Sequence, residues 1–196
     1  MHPTPQNAKR ETQNEPLNGF YLVHKPVGPS SAGIVGRLKW LILQSGYPRK
    51  GPGALRIGHG VGIAHDIDFE GDDDETTFVS LGTISQWVKD REIALELAPS
   101  SNLQTGAIAH WGDDLADHPF DLLYQLGFRV TVNTDNRLMS GTSITRELSL
   151  LRDAFGYDLS DFEVFQLNAA AATFLSVEDR EDLSDRISDG FDAAGR

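Results

Sequence analysis

Apolar residues occur along this chain in short runs, and their spacing alternates between strand-like and helix-like periods. Gly19 to His24 reads as a short strand and Pro26 to Ser31 as a turn. Ala32 to Gln44 reads as a helix with Ile34, Val35, Leu38, Leu41 and Ile42 on one face. Residues 46–53, rich in glycine, proline and basic side chains, read as a linker. From Leu55 the pattern becomes regular. Leu55–Ile57 is a strand ending in Gly58-His59-Gly60, followed by an acidic loop and a helix around Leu81–Lys89. Ile93–Ala98 is a second strand that runs into Pro99-Ser100-Ser101-Asn102. A helix near His118–Leu126 leads to a third strand, Arg129–Asn133, ending at Thr134-Asp135-Asn136. Ile144, Leu148, Leu151 and Phe155 repeat at helical spacing. So do Phe162, Phe165, Ala169 and Ala172, behind a capping box expected at Ser160 and Glu163, and an acidic helix over Val177–Ile187 closes the pattern.

Strand–helix alternation of this kind predicts an α/β fold with parallel, buried strands. In such folds binding sites are built just beyond the carboxyl ends of the strands. The polar residues after each strand therefore become the candidates for chemistry.

Composition narrows the picture. At 196 residues the chain can bury a sizeable core, but it is shorter than the roughly 250 residues of a complete eight-stranded α/β barrel. It contains no cysteine, which excludes disulfides and thiolate metal ligands and suits a cytoplasmic protein. No run approaches the roughly 20 apolar residues of a membrane span, and no signal-peptide core is expected. The net charge of −12 is unevenly spread: residues 1–56 hold eight Lys/Arg against two Asp/Glu, and residues 57–196 hold nine against twenty-seven. That reversal divides the chain into a disordered tail (1–17), a basic strand–helix segment with its linker (18–53), and an acidic body (54–196). The acidic body repels polyanions, so nucleic acid is a poor partner for it, whereas a small neutral ligand is unaffected.

Individually the candidates have ordinary readings. His59 can be a turn histidine satisfied by backbone, or a histidine whose flanking glycines admit a ligand. Asp135 can be a helix cap, or a site carboxylate. Asp66-Ile67-Asp68-Phe69-Glu70-Gly71 begins like a calcium loop, but Thr77 stands where the bidentate glutamate belongs, so it reads as a solvated acidic loop. His110 and Trp111 read as loop packing, and Phe162, Phe165 and Phe174 as core.

Taken together the motifs say more. Arg56-Ile57-Gly58-His59-Gly60, Leu95-Glu96-Leu97-Ala98-Pro99-Ser100-Ser101-Asn102, His118-Pro119 and Asn133-Thr134-Asp135-Asn136 resemble, in order and spacing, the C-terminal portion of the adenosine deaminase family over residues 55–188. The resemblance implies strands six to eight of a (β/α)8 TIM barrel, here a partial barrel with a short extra N-terminal strand–helix segment. It implies a zinc-dependent hydrolase of the metal-dependent amidohydrolase superfamily, converting adenosine or deoxyadenosine to inosine or deoxyinosine and ammonia in purine metabolism. His59 then matches the histidine that helps deprotonate and position the attacking water. Asp135 matches a zinc ligand that orients the hydroxide. Asn136 stands where the family usually has an aspartate contacting the purine ring, and its amide still supplies an N–H donor. Hydrolytic deamination suits these residue types, because a Lewis-acid metal lowers the pKa of water toward about 7 and a neighbouring group handles its proton.

Other family elements are missing. The family's His-x-His pair occurs nowhere among the six histidines, and no Asp or Glu lies between Pro16 and His65 to stand for the glutamate of its His-Ala-Gly-Glu motif. His24 is the one candidate for the second motif's zinc ligand, with Lys25-Pro26-Val27 in place of Ala-Gly-Glu. Residues 18–44 are also similar to the opening segment of tRNA pseudouridine synthases, through Asn18 to Ser31 and Val35 to Leu38, but the Gly-Thr-Leu-Asp-Pro motif of those enzymes is absent. Three readings stay open: a deaminase impaired alone, an inactive remnant that binds a purine or a partner chain, and an RNA-modifying protein. A partial barrel leaves strand edges open, so self-association or a complementing chain is expected.

Overall fold

The computed structural model describes residues 55–72 and 77–195. The tail, the basic segment with its expected strand and helix, and His24 lie outside the described residues. Within them the alternating pattern yields a mixed α/β fold. The first strand, β1 (Arg56–Gly58), is followed by a 3-10 turn over Gly60–Asp66 and then by a hairpin, β2 (Ile67–Asp72) and β3 (Thr77–Leu81). The hairpin corrects the expectation of an acidic loop. Its strands pair antiparallel with a bulge between Phe69 and Gly71, where Gly71 takes φ 147°. Ile67 pairs with Leu81 and Phe69 with Val79 on one face, where Ile67 is buried and Val79 and Leu81 pack against the core, while Asp68 and Ser80 pair on the other.

Helix α1 (Thr83–Asp90) follows, with Ser85 and Val88 on its buried face. Asp66 secures its start: Oδ2 accepts the N–H groups of Ile84 and Ser85 at 2.8 and 2.7 Å, and these bonds hold its pKa below the usual carboxylate value. Gly82 is required beside it, because a Cβ there would lie 2.3 Å from Asp66 Oδ1. Next come β4 (Ala94–Leu97), α2 (Pro99–Gln104), α3 (Phe120–Gln125) and β5 (Val130–Val132). The Pro99–Asn102 stretch that follows β4 is thus the first turn of a helix. Pro99 occupies an early helical position, where its missing N–H costs nothing.

Strands β1, β4 and β5 form a parallel sheet in that order, with Ile57 opposite Leu95 and Leu95 opposite Val130. Ala94, Leu95, Leu97 and Val130 are fully buried, as expected of a parallel sheet covered by helices. Helices α4 (Arg137–Ser140), α5 (Ile144–Phe155), α6 (Leu159–Ala171) and α7 (Val177–Ala193) complete the chain. The capping box of α6 lies at Asp158 and Asp161, not at Ser160 and Glu163; Glu163 is buried within the helix. Phe120 and Phe165 meet edge-on, with ring centroids 5.2 Å apart, and with Leu123, Leu151 and Tyr157 they form the core under the sheet. Phe162 packs against this core, but Phe174 is 59% exposed and carries the Arg56 guanidinium 4.3 Å over its ring. Among the described residues no helix is long and apolar enough to cross a membrane.

Candidate functional site

The parallel sheet brings the polar residues that follow its strands to one end. Beyond β1, the His59 backbone turns into the left-handed region (φ 53°, ψ 38°) while its N–H still donates to the Glu96 carbonyl at 3.0 Å. Beyond β5, Asn133 continues the ladder through its N–H to the Leu97 carbonyl at 2.8 Å. Its side-chain amide braces the Leu97 carbonyl and Thr131 Oγ1. Asp135, two residues on, also adopts positive φ (50°). Besides Glu92, these are the non-glycine residues with positive φ among the described residues. A left-handed backbone is costly for L-residues and marks places where side-chain direction matters more than local comfort.

The two strand-end side chains converge. His59 Nε2 lies 3.7 Å from Asp135 Oδ2, and the same Oδ2 accepts the Ser101 hydroxyl at 2.7 Å. Both face an open cavity of about 340 Å³, lined also by Glu96, Asn133, Ala98 and Ile144. The His59 and Asp135 side chains are 52% and 41% exposed, so their mutual attraction is weak and both remain reachable by a ligand. Glu96, which lines the cavity, pairs with Arg56 at 3.2 Å.

Behind this wall lies a polar layer whose role the residue pattern did not reveal. His118 is buried, accepts the Phe120 N–H on Nδ1 at 3.0 Å, and meets Asn102 Oδ1 through Nε2 at 3.2 Å. Burial lowers its pKa to about 4. Asn102, fully buried, also accepts the Ala98 N–H and reaches His59 Nδ1 through its amide nitrogen at 3.5 Å. The fully buried Glu147 of α5 accepts the Ser100 N–H at 3.0 Å and the Thr142 hydroxyl at 2.5 Å, which pins the first turn of α2. A buried glutamate in the first turn of an amphipathic helix looks like an ordinary solvent-facing acid in sequence. The motifs Pro99–Asn102 and His118-Pro119 were visible; their contact was not.

Of the sequence candidates, His59 and Asp135 are brought together. Asn136 is not among the residues lining the cavity. Its Oδ1 caps α4 by accepting the N–H groups of Leu138 and Met139, each at 3.2 Å, which leaves its amide nitrogen as a donor. His110 and Trp111 pack with His65, whose ring lies 4.9 and 4.4 Å from theirs.

A catalytic zinc requires about three protein ligands and a water. His59 and Asp135 offer one nitrogen and one carboxylate, and among the described residues no group of three His, Cys, Asp or Glu side chains converges. The described site by itself does not fit the metal.

Residues 52–190 match the family model described as adenosine deaminase. The adenosine deaminase of Mycobacterium avium is 49% identical over 135 residues, covering 69% of this chain and 36% of that protein. The chain therefore spans little more than a third of the length of the curated relatives it matches. Two solved structures carry a similar fold. An adenine deaminase from Arthrobacter aurescens superposes with a TM-score of 0.61 at 22% identity, covering 85% of this chain and 50% of that one. The N6-methyl-AMP deaminase of Arabidopsis thaliana gives 0.55 at 20% identity, covering 87% and 48%. The resemblance of residues 18–44 to pseudouridine synthases finds no support in these comparisons.

Proposed function

Because this chain belongs to the adenosine deaminase family, we propose that it supplies the strand-six-to-eight side of a deaminase site acting on an aminopurine nucleoside. The reaction is hydrolytic: water displaces the exocyclic amine of adenosine or deoxyadenosine, giving inosine or deoxyinosine and ammonia. The observation that carries this reading is the convergence of His59 and Asp135, both held in left-handed backbone, on one open cavity. His59 positions the attacking water and Asp135 orients it. The family's purine contact falls on Asn136, which lies off the cavity lining with its Oδ1 capping α4 and its amide nitrogen left as a donor.

Zinc belongs to this reading through the family resemblance, with Asp135 as a ligand. The described residues hold too few donors for it, so this reading requires ligands from beyond the described residues, such as a second chain. The acidic body, with its twenty-seven Asp/Glu after residue 56, favours a small neutral nucleoside over nucleic acid. The second reading, an inactive remnant that retains purine or partner binding, is favoured by the same shortage of metal donors.

The test is ammonia release from adenosine with zinc present. It is run on the chain alone and mixed with the part of the Mycobacterium avium relative that precedes the matched segment. Turnover in either arm that His59→Ala abolishes supports the deaminase reading. A folded sample that is silent in both arms assigns the chain to the second reading.

A further inference from the structure

We infer that Asn102 and His118 are positioning residues that fix the tautomer of His59, so that the neutral imidazole presents an N–H, not a lone pair, to the cavity. The inference rests on the reading of His59 as a site residue and goes beyond it by assigning the direction of its hydrogen bond.

The polarity of the network follows from two backbone N–H groups, which can only donate. The Phe120 N–H points at His118 Nδ1 at 3.0 Å, so that nitrogen carries no proton. A buried neutral His118 then carries its proton on Nε2 and donates to Asn102 Oδ1 at 3.2 Å. The Ala98 N–H donates to the same Oδ1 at 3.3 Å, which fixes the amide orientation: a flipped Asn102 would set its NH₂ group against two donors. Asn102 Nδ2 must therefore face His59, and it lies 3.5 Å from Nδ1. An amide nitrogen only donates, so Nδ1 of His59 accepts. The remaining proton of neutral His59 sits on Nε2, 3.7 Å from Asp135 Oδ2. Burial strengthens the argument at its far end, since the low pKa of His118 keeps it neutral and able to accept from Phe120.

The consequence bears on the chemistry expected of His59. A ring whose Nε2 is protonated steadies an oxygen in the cavity by donating to it and cannot take a proton there. The carboxylate of Asp135 is then the acceptor that faces the same space.

The test reads the tautomers directly in the full chain, labelled with ¹⁵N-histidine, by long-range ¹H–¹⁵N correlation at pH 7.5. Resonances are assigned by comparison with His59→Gln and His118→Gln. In the wild-type chain the expected result is an unprotonated Nδ1 on both rings. A proton on Nδ1 of either ring overturns the inference without any variant having to fold. The sharper test is Asn102→Asp, which keeps the size of the side chain and turns the donor facing His59 into an acceptor. Its expected result is loss of the unprotonated Nδ1 signal of His59, with a proton now on that nitrogen. A folded Asn102→Asp chain whose His59 Nδ1 stays unprotonated overturns the inference. The outcome is independent of turnover: the expected tautomers in a chain that releases no ammonia, alone or with its complementing segment, support this network while refuting the enzymatic reading.

Discussion

Glu147 offers a direct measure of how much of the fold depends on one buried charge. Its carboxylate is fully buried and receives two donors, the Ser100 N–H at the start of α2 and the Thr142 hydroxyl just before α5. Hydrogen bonds to a charged acceptor contribute about 1.5–3 kcal/mol each. Glu147→Ala removes both and leaves the Ser100 N–H without its acceptor, which should cost about 3 kcal/mol after allowing for the desolvation that the charge no longer incurs. Glu147→Gln keeps the shape. Its carbonyl can serve Ser100 while Thr142 reverses to accept from the amide, so the loss should be about 1 kcal/mol. Urea unfolding of the three chains at pH 7.5 measures this, and the alanine variant should also melt about 6–12 °C lower. An alanine variant within about 1 kcal/mol of wild type, or a glutamine variant as damaged as the alanine one, would refute the account of Glu147 as the acceptor that organises this corner. The link to function is short, because the turn it holds carries Ser101 and Asn102, the partners of Asp135 and His59.

Three further outcomes follow from the same geometry. His118 takes up a proton near pH 6.5 in the unfolded chain but only near 4 when folded, so its contribution is complete above pH 6.5 and falls away toward pH 4. That loss should reach about 3 kcal/mol and be flattened by His118→Gln, as urea unfolding between pH 7.5 and 4.5 would reveal; parallel pH profiles for the two chains would contradict it. Gly60→Ala would place a Cβ 2.8 Å from Leu95 Cδ2 and 3.2 Å from its Cβ in the fully buried centre of the sheet, costing about 1–3 kcal/mol; unchanged stability would show that this corner yields easily. Among the described residues β1 and β5 each pair on one side only, so sedimentation velocity should show self-association that grows with concentration, whereas a monomer at all concentrations would mean the edges are covered.

The hydrophobic pattern alone determined the three parallel strands and the helices between them. Buried strands and amphipathic helices differ in period whatever they pack against, so Ala94–Leu97, Val130–Val132 and Ile144–Phe155 were legible within a residue or two. The placement of His59 and Asp135 at one end of the sheet was legible for a related reason: in an α/β chain a polar residue just past a strand has one end of the sheet to occupy. The hairpin was not legible, because the short alternation of Ile67 and Phe69 with Asp68 and Glu70 sits in an acid-rich run that reads as a solvated loop. The true cap of α6 was missed because two overlapping cap sequences compete there, and geometry at Asp158 decides between them. Tertiary structure alone decided the second layer of the site. His118 and Asn102 are 16 residues apart, Asn102 and His59 43, and Ser100 and Glu147 47. The parallel register of β1 and β4 brings His59 beside the helix that carries Asn102, and the packing of α5 brings Glu147 to the start of the same helix. A hydrogen bond between distant residues leaves no period in the chain, and its direction is fixed only when backbone donors such as the Phe120 and Ala98 N–H groups arrive from other parts of the fold.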